Sequence, residues 1–162
     1  MMDPPWQLAT AAPTRGVALG YSQLPDVLIR DLPIPSLHPP STGGLLFLWV
    51  INAKYAIALD MLQEWGYTLV DDISWVKLTV NRRLAKGHGY YLQHAKETCL
   101  VAYKPGTERK DIPWHGYGNQ DSDVLLDTRR GQSQKPEKQY DLIERLVPNG
   151  TWVFRLEITR TL

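Results

Sequence analysis

Gly43-Gly44-Leu45-Leu46-Phe47-Leu48-Trp49-Val50-Ile51 is an apolar run opened by two turn-forming residues. No polar residue interrupts Leu45 to Ile51, which is the pattern of a strand buried on both faces. The next stretch changes period. Ala58, Met61, Leu62 and Trp65 fall at i, i+3, i+4 and i+7, one face of a helix running from Lys54 to Trp65, and Gly66 stands where a C′ glycine ends it. Tyr67 to Leu78 then reads as a second strand, with Ile73, Trp75 and Val76 as core candidates. Strand, helix and strand within about 35 residues predict a mostly parallel central sheet with helices on both faces, an α/β fold.

Working outward, Thr79 to His94 is polar, basic and glycine-bearing, and Thr98 to Tyr103 is another short strand. Lys104 to Ser122 carries Pro105, Gly106, Pro113, Gly116 and Gly118 and reads as a surface loop; Val124-Leu125-Leu126 adds a short strand. Lys135-Pro136-Glu137 opens a helix, since proline suits a first turn where its missing N–H costs nothing. Tyr140, Ile143 and Leu146 give that helix an apolar face, and Pro148-Asn149-Gly150 stops it. Thr151 to Ile158 alternates and reads as a final strand. Upstream, eight of the twelve prolines precede Gly43, so residues 7–42 are expected to be a proline-rich loop with short helical turns at most. Long ordered loops of this kind are often functional.

Composition narrows the classes. The 162 residues suit one domain, 1–162, and 43% hydrophobic with 22% charged residues excludes a disordered chain. The longest apolar run is strand-length, well below the ~20 residues of a membrane span. The opening Met-Met-Asp-Pro-Pro-Trp lacks the basic and apolar regions of a signal peptide. One cysteine, Cys99, excludes an internal disulfide and a multi-cysteine zinc site, and favours a reducing compartment, cytosolic or nuclear. A net charge of +1 means that nucleic-acid binding must rest on local patches. Two exist: Arg82, Arg83, Lys86 and His88, and Arg129, Arg130 and Lys135. Either suits phosphate contacts, against the plain alternative of a solvated charged face. His38 and His115 have no metal-like spacing, and no metal site is expected.

Asp3-Pro4-Pro5-Trp6 is the sharpest chemical feature. Asp3 precedes proline and is pushed towards extended geometry. Pro4 and Pro5 offer carbonyl acceptors without competing N–H donors, and Trp6 offers a flat stacking face. Such a segment suits a planar base with an exocyclic amino group. A carboxylate and a carbonyl accepting both amino hydrogens would aim the nitrogen lone pair at an electrophile, and positioning adds further rate. The bland alternative is a proline-rich turn with an incidental tryptophan.

Six motifs occur in order: Asp3-Pro4-Pro5-Trp6, Leu45 to Val50, Trp65-Gly66-Tyr67, Trp75-Val76-Lys77, His94 to Leu100, and Lys135-Pro136-Glu137 with Ile143-Glu144-Arg145-Leu146. Together they resemble the adenine-N6 methyltransferase family that includes the catalytic subunit of the mRNA N6-methyladenosine writer. Pro13-Thr14-Arg15-Gly16, the run Ala85 to Glu97, and Arg129 to Pro136 look like the DNA-directed members of ciliates and related protists. The resemblance implies a Rossmann-like methyltransferase domain that uses S-adenosyl-L-methionine to methylate adenine N6 in DNA or RNA, DNA being slightly favoured. Asp3 and the Pro4 carbonyl would hold the amino group, Asp3 also lying near the cofactor's amino group. Pro5 and Trp6 would shape and stack the base pocket. Lys96 would contact the cofactor carboxylate, with His94 and Glu97 beside it. Residues 79–94 would form a basic loop at nucleic acid or at a homologous subunit of a heterodimer, and the expected location is the nucleus.

The same resemblance implies a strand ahead of Asp3 and a ribose-binding segment after the last helix. Neither is found, so the sequence reads as a domain truncated at both ends, incomplete at its sheet edges and expected to bind the cofactor weakly. The competing reading is an inactive methyltransferase-like partner subunit that binds nucleic acid or an active homologue.

Overall fold

The computed structural model describes residues 1–7, 22–87, 89, 91–108, 121–131, 133–148 and 150. Helix α1 (Asp26–Arg30) is a single turn and a half. Strand β1 (Gly43–Val50) follows, and a short 3-10 turn (Asn52–Lys54) leads into α2 (Tyr55–Glu64). Then come β2 (Thr68–Leu78), β3 (Lys96–Pro105), β4 (Val124–Thr128) and α3 (Lys138–Leu146). The chain leaves α2 as its composition predicts: Gly66 takes φ +79, a left-handed conformation that its lack of a Cβ permits.

The four strands form one sheet in the order β1-β3-β2-β4. The α/β class and the helices on both faces agree with the sequence reading, but the strand pairing does not. β3 lies between β1 and β2 and is antiparallel to both; of these four strands, β2 and β4 are the parallel neighbours. β1 and β2 do run in the same direction, as a strand-helix-strand unit requires, but they are not neighbours. The periodicity of each strand fixes which residues face the core, and carries no information about a later strand inserting between two earlier ones.

The alternation of β1 and β3 divides the core. Leu46, Leu48, Val50, Leu100 and Ala102 face α1 and α2, with Ile29, Ala58, Met61, Leu62 and Trp65. Phe47, Trp49, Cys99 and Val101 face α3, with Ile73, Trp75, Leu125, Leu142 and Ile143. The N-terminal residues extend the sheet. Met2 donates to the Phe47 carbonyl at 2.7 Å and accepts from the Trp49 N–H at 2.9 Å, a parallel bridge opposite Leu48. The outer edge of β1, read as incomplete, therefore carries the segment that leads into Asp3.

One further difference concerns a helix boundary. α3 begins at Lys138, so Lys135 and Pro136 lie ahead of it, and Pro136 serves as a carbonyl acceptor for the Gln139 N–H at 3.4 Å. The 7–42 segment holds α1 and a second 3-10 turn (Ile34–Ser36) among its described residues. His38 is engaged structurally, its Nδ1 lying 2.6 Å from the Tyr67 hydroxyl. His115, the tip of the loop between β3 and β4, and the expected final strand at 151–158 lie outside the described residues.

Candidate active site

β1, β2, β4 and the segment Met1–Asp3 all run the same way, so their carboxyl ends meet at one rim of the sheet. Antiparallel β3 brings its amino end, Lys96-Glu97, to that rim as well. Ligands of open α/β sheets bind at the carboxyl ends of the parallel strands. Asp3-Pro4-Pro5-Trp6 lies there, directly after the bridge that fixes Met2.

The centre of the rim is a chain of alternating charges. The Lys135 ammonium lies 2.9 Å from Asp3 Oδ1 and 3.1 Å from Glu97 Oε2. The other Glu97 oxygen accepts from Lys77 of β2. Asp3 and Lys135 are almost wholly buried, their side chains 6% and 8% exposed. Two aromatic rings support the cations: Lys135 Nζ stands 5.5 Å from the Trp49 ring centroid and Lys77 Nζ 5.2 Å from that of Trp75. Burial opposes ionisation of Glu97, but Lys135 and Lys77 outweigh it and hold the carboxyl below its ordinary range. Burial likewise opposes the Lys135 charge, and Glu97 with Asp3 outweighs it, so the ammonium is held above its ordinary range. The Cys99 thiol, on the same face, is pushed up by burial and stays protonated.

These shifts set a pH dependence. The contribution of Glu97 to stability is present above its ordinary value of 4.5 and is lost as pH falls through its lower folded value. That of Lys135 is present below 10.5 and is lost as pH rises through its higher folded value. Thermal midpoints measured against pH should therefore be level between these limits and fall on the acid side. Glu97→Gln should flatten that acid fall; an unchanged acid limb would show that Glu97 does not set it.

Trp6 departs from its expected role. It is 4% exposed, packs in the core on the α1–α2 side, and donates its indole N–H to the Trp49 carbonyl at 2.9 Å. A ring so enclosed anchors the loop instead of offering a face to a base. Around it the backbone is tied twice. The Trp6 N–H bonds the Pro4 carbonyl at 2.8 Å, an i to i+2 contact that turns the chain at Pro5, and the Leu24 N–H bonds the Pro5 carbonyl at 2.8 Å. The Pro4 carbonyl keeps a second lone pair for another donor.

The other expected residues divide. Lys96 shares the β3 face of Leu100 and Ala102, turned away from the Asp3 side, and its ammonium donates to Thr98 Oγ1 at 2.9 Å. His94 is exposed and paired through its backbone with Gly87. Neither joins the Asp3–Glu97–Lys135 cluster. Arg82, Arg83 and Lys86 are exposed, as a phosphate-binding or interface loop requires, while His88 lies outside the described residues. Arg129 and Arg130 are exposed too, and Arg130 pairs with Glu137 at 2.7 Å. Lys135, expected beside them at phosphate, lies instead in the buried cluster. Sequence reading set Lys135 ahead of a helix with two arginines nearby, and only the meeting of positions 3, 97 and 135 shows what it faces. Asp3 and Lys135 side by side present one buried anion and one buried cation. That donor set fits the zwitterionic head of an amino acid, as S-adenosyl-L-methionine carries.

The sheet is of the Rossmann-like α/β class of methyltransferase domains. The chain belongs to the MT-A70 family, whose profile matches residues 1–159. It is 35% identical over 152 residues to the Arabidopsis thaliana protein named N(6)-adenosine-methyltransferase MT-A70-like, covering 93% of this chain and 20% of that protein. It is 36% identical over 151 residues to the Homo sapiens N(6)-adenosine-methyltransferase catalytic subunit METTL3, covering 91% and 23%. Against the Pyricularia oryzae N6-methyladenosine RNA methyltransferase MTA1 it is 27% identical over 171 residues, covering 98% and 43%. The chain thus spans less than half the length of each of these relatives.

Proposed function

We propose that this chain carries the catalytic centre of an S-adenosyl-L-methionine-dependent adenine-N6 methyltransferase acting on nucleic acid. The observation that carries the reading is the buried Asp3–Lys135 pair at the rim. S-adenosyl-L-methionine supplies an electrophilic methyl group. Lys135 would hold its carboxylate and Asp3 its amino group, a reassignment from Lys96 that rests on which lysine faces Asp3. For the base, the Asp3 carboxylate beside Lys135 would accept one amino hydrogen, and the second lone pair of the Pro4 carbonyl the other. Acceptors on both hydrogens turn the N6 lone pair, otherwise delocalised into the ring, towards the methyl. In a duplex the base must first leave the stack, at a cost of a few kcal/mol.

The names of the relatives speak for adenosine and, in one case, RNA; the segments at 13–16, 85–97 and 129–136 resemble the DNA-directed branch. Methyl transfer from labelled cofactor should therefore be assayed on adenine-containing RNA and DNA side by side, in the presence and absence of a homologous subunit. Transfer to adenine N6 in either, with loss on substituting Asp3, supports the proposal. Nucleic-acid or subunit binding without transfer would instead give the reading of an inactive partner subunit. The proposed place of action is the nucleus.

The basic loop supplies a separate expectation. Replacing Arg82, Arg83 and Lys86 together with alanine should weaken nucleic-acid binding and lower its log–log salt slope, by up to about 0.9 per lost duplex contact. An unchanged slope with lost heterodimer formation would place the loop at the subunit interface, and no change in either would leave it a solvated face.

A further inference from the structure

α3 turns Gln139, Leu142 and Ile143 towards the sheet, the spacing of a helix face that is ordinarily apolar. Gln139 is nonetheless 1% exposed. Its Oε1 accepts the indole N–H of Trp49 at 2.6 Å, and its Nε2 is buried without a hydrogen-bond partner among the described residues. The amide cannot be turned round, because Nε2 would then face another donor. A buried amide with one end unmatched is costly, and an apolar side chain would fill the space without that cost. Its retained use is the single bond to Trp49.

Trp49 passes that bond on. Its ring, 1% exposed and met edge-on by Trp75 at 6.3 Å, lies under the Lys135 ammonium. The backbone of Trp49 is fixed by β3 and by Met2, so the remaining freedom is rotation of the side chain, which the Gln139 bond removes. We propose that Gln139 and Trp49 are positioning residues for Lys135: the bond fixes the indole plane, and the indole face holds the ammonium between Asp3 and Glu97. The part of this inference that concerns a cofactor rests on the methyltransferase reading; the relay itself does not.

The test is a cycle of Gln139→Leu, Trp49→Phe and the double variant. The readout is the carboxyl titration of Asp3, followed by carbon NMR in the full chain. Among the described residues, the groups that bear on Asp3 include Lys135 ahead of α3, Glu97 of β3 with Lys77 of β2 behind it, and the Cys99 thiol. Each single variant lets Lys135 drift, so the Asp3 midpoint should rise by about half a pH unit or more. The double variant should rise no further than either single. A midpoint unmoved in both, with a lowered thermal midpoint, would show that Gln139 only packs; additive shifts would show that the two side chains act independently. Either result overturns the relay.

A second arm compares S-adenosylhomocysteine with 5′-methylthioadenosine, which lacks the amino-acid head. Gln139→Leu should weaken the first about fivefold and leave the second unchanged. Equal weakening of both would overturn positioning of Lys135. If the unmutated chain binds the two compounds alike while the Asp3 midpoint shifts as stated, the relay stands and the assignment of the Asp3–Lys135 pair to the cofactor's amino-acid head falls.

Discussion

Asp3→Asn should lower kcat for adenine methylation by about 10²-fold or more, the scale of losing one preorganised electrostatic contact. The substitution keeps the shape of the side chain but removes its charge. It also places an amide that can donate where the adenine amino group needs acceptors. Lys135 loses its carboxylate partner at 2.9 Å and keeps the Glu97 carboxylate at 3.1 Å. The change should therefore act on kcat through the reacting amino group, and on cofactor affinity through the drift of Lys135. Turnover measured with saturating cofactor separates the two. Near-normal kcat in the asparagine variant would remove Asp3 from the chemistry.

The second large effect belongs to Lys135. Lys135→Met keeps the length of the side chain and deletes the ammonium. Two carboxylates then face each other at the rim without the ammonium between them, while Glu97 keeps Lys77. Removing one member of a buried pair costs about 3–5 kcal/mol, because the other is left uncompensated. The value here should lie near the lower end, about 3 kcal/mol, since Lys77 still serves Glu97. Chemical denaturation measures it. Combining Lys135→Met with Asp3→Asn should cost less than the sum of the two, because the stranded charge disappears with its partner. Strict additivity would mean that the two side chains are not coupled in solution.

Much of the scaffold was legible in the sequence because it is written in local periods. The apolar run from Leu45, the helical spacing of Ala58, Met61, Leu62 and Trp65, and the glycine after them place β1 and α2 within a residue or two. The strand at Thr98–Tyr103 was recognised as well, though β3 is longer at both ends. Its neighbours were not legible, since burial on both faces makes a central strand look the same whichever way its partners run. The site divides in the same way. Asp3 was singled out because the chemistry of Asp-Pro-Pro-Trp is local. For Trp6, an exposed stacking face and a buried anchor have the same sequence, and only the tertiary indole bond to the Trp49 carbonyl shows the ring enclosed. The place of Lys135 is not legible locally, because its partners, Asp3 and Glu97, are distant in sequence and a lysine beside two arginines looks like surface.

The place of β3 also bears on the order of events when the chain first folds. β1 and β2 are complete before β3 is synthesised, yet the strand that joins them is Lys96–Pro105; until then β1 has the Met2 bridge, and the other neighbour of β2, β4, comes later still. Until that segment leaves the ribosome, the apolar run of β1 has no strand from later in the chain to close on. Its unpaired edge is then of the kind that recruits other chains. Such non-local pairings slow folding, because a long loop must close before any contact rewards it. The nascent chain therefore passes through an interval in which its most hydrophobic strand is exposed. Substitutions in β3 should increase aggregation during synthesis more than equally destabilising substitutions in α3, which docks on a sheet already formed.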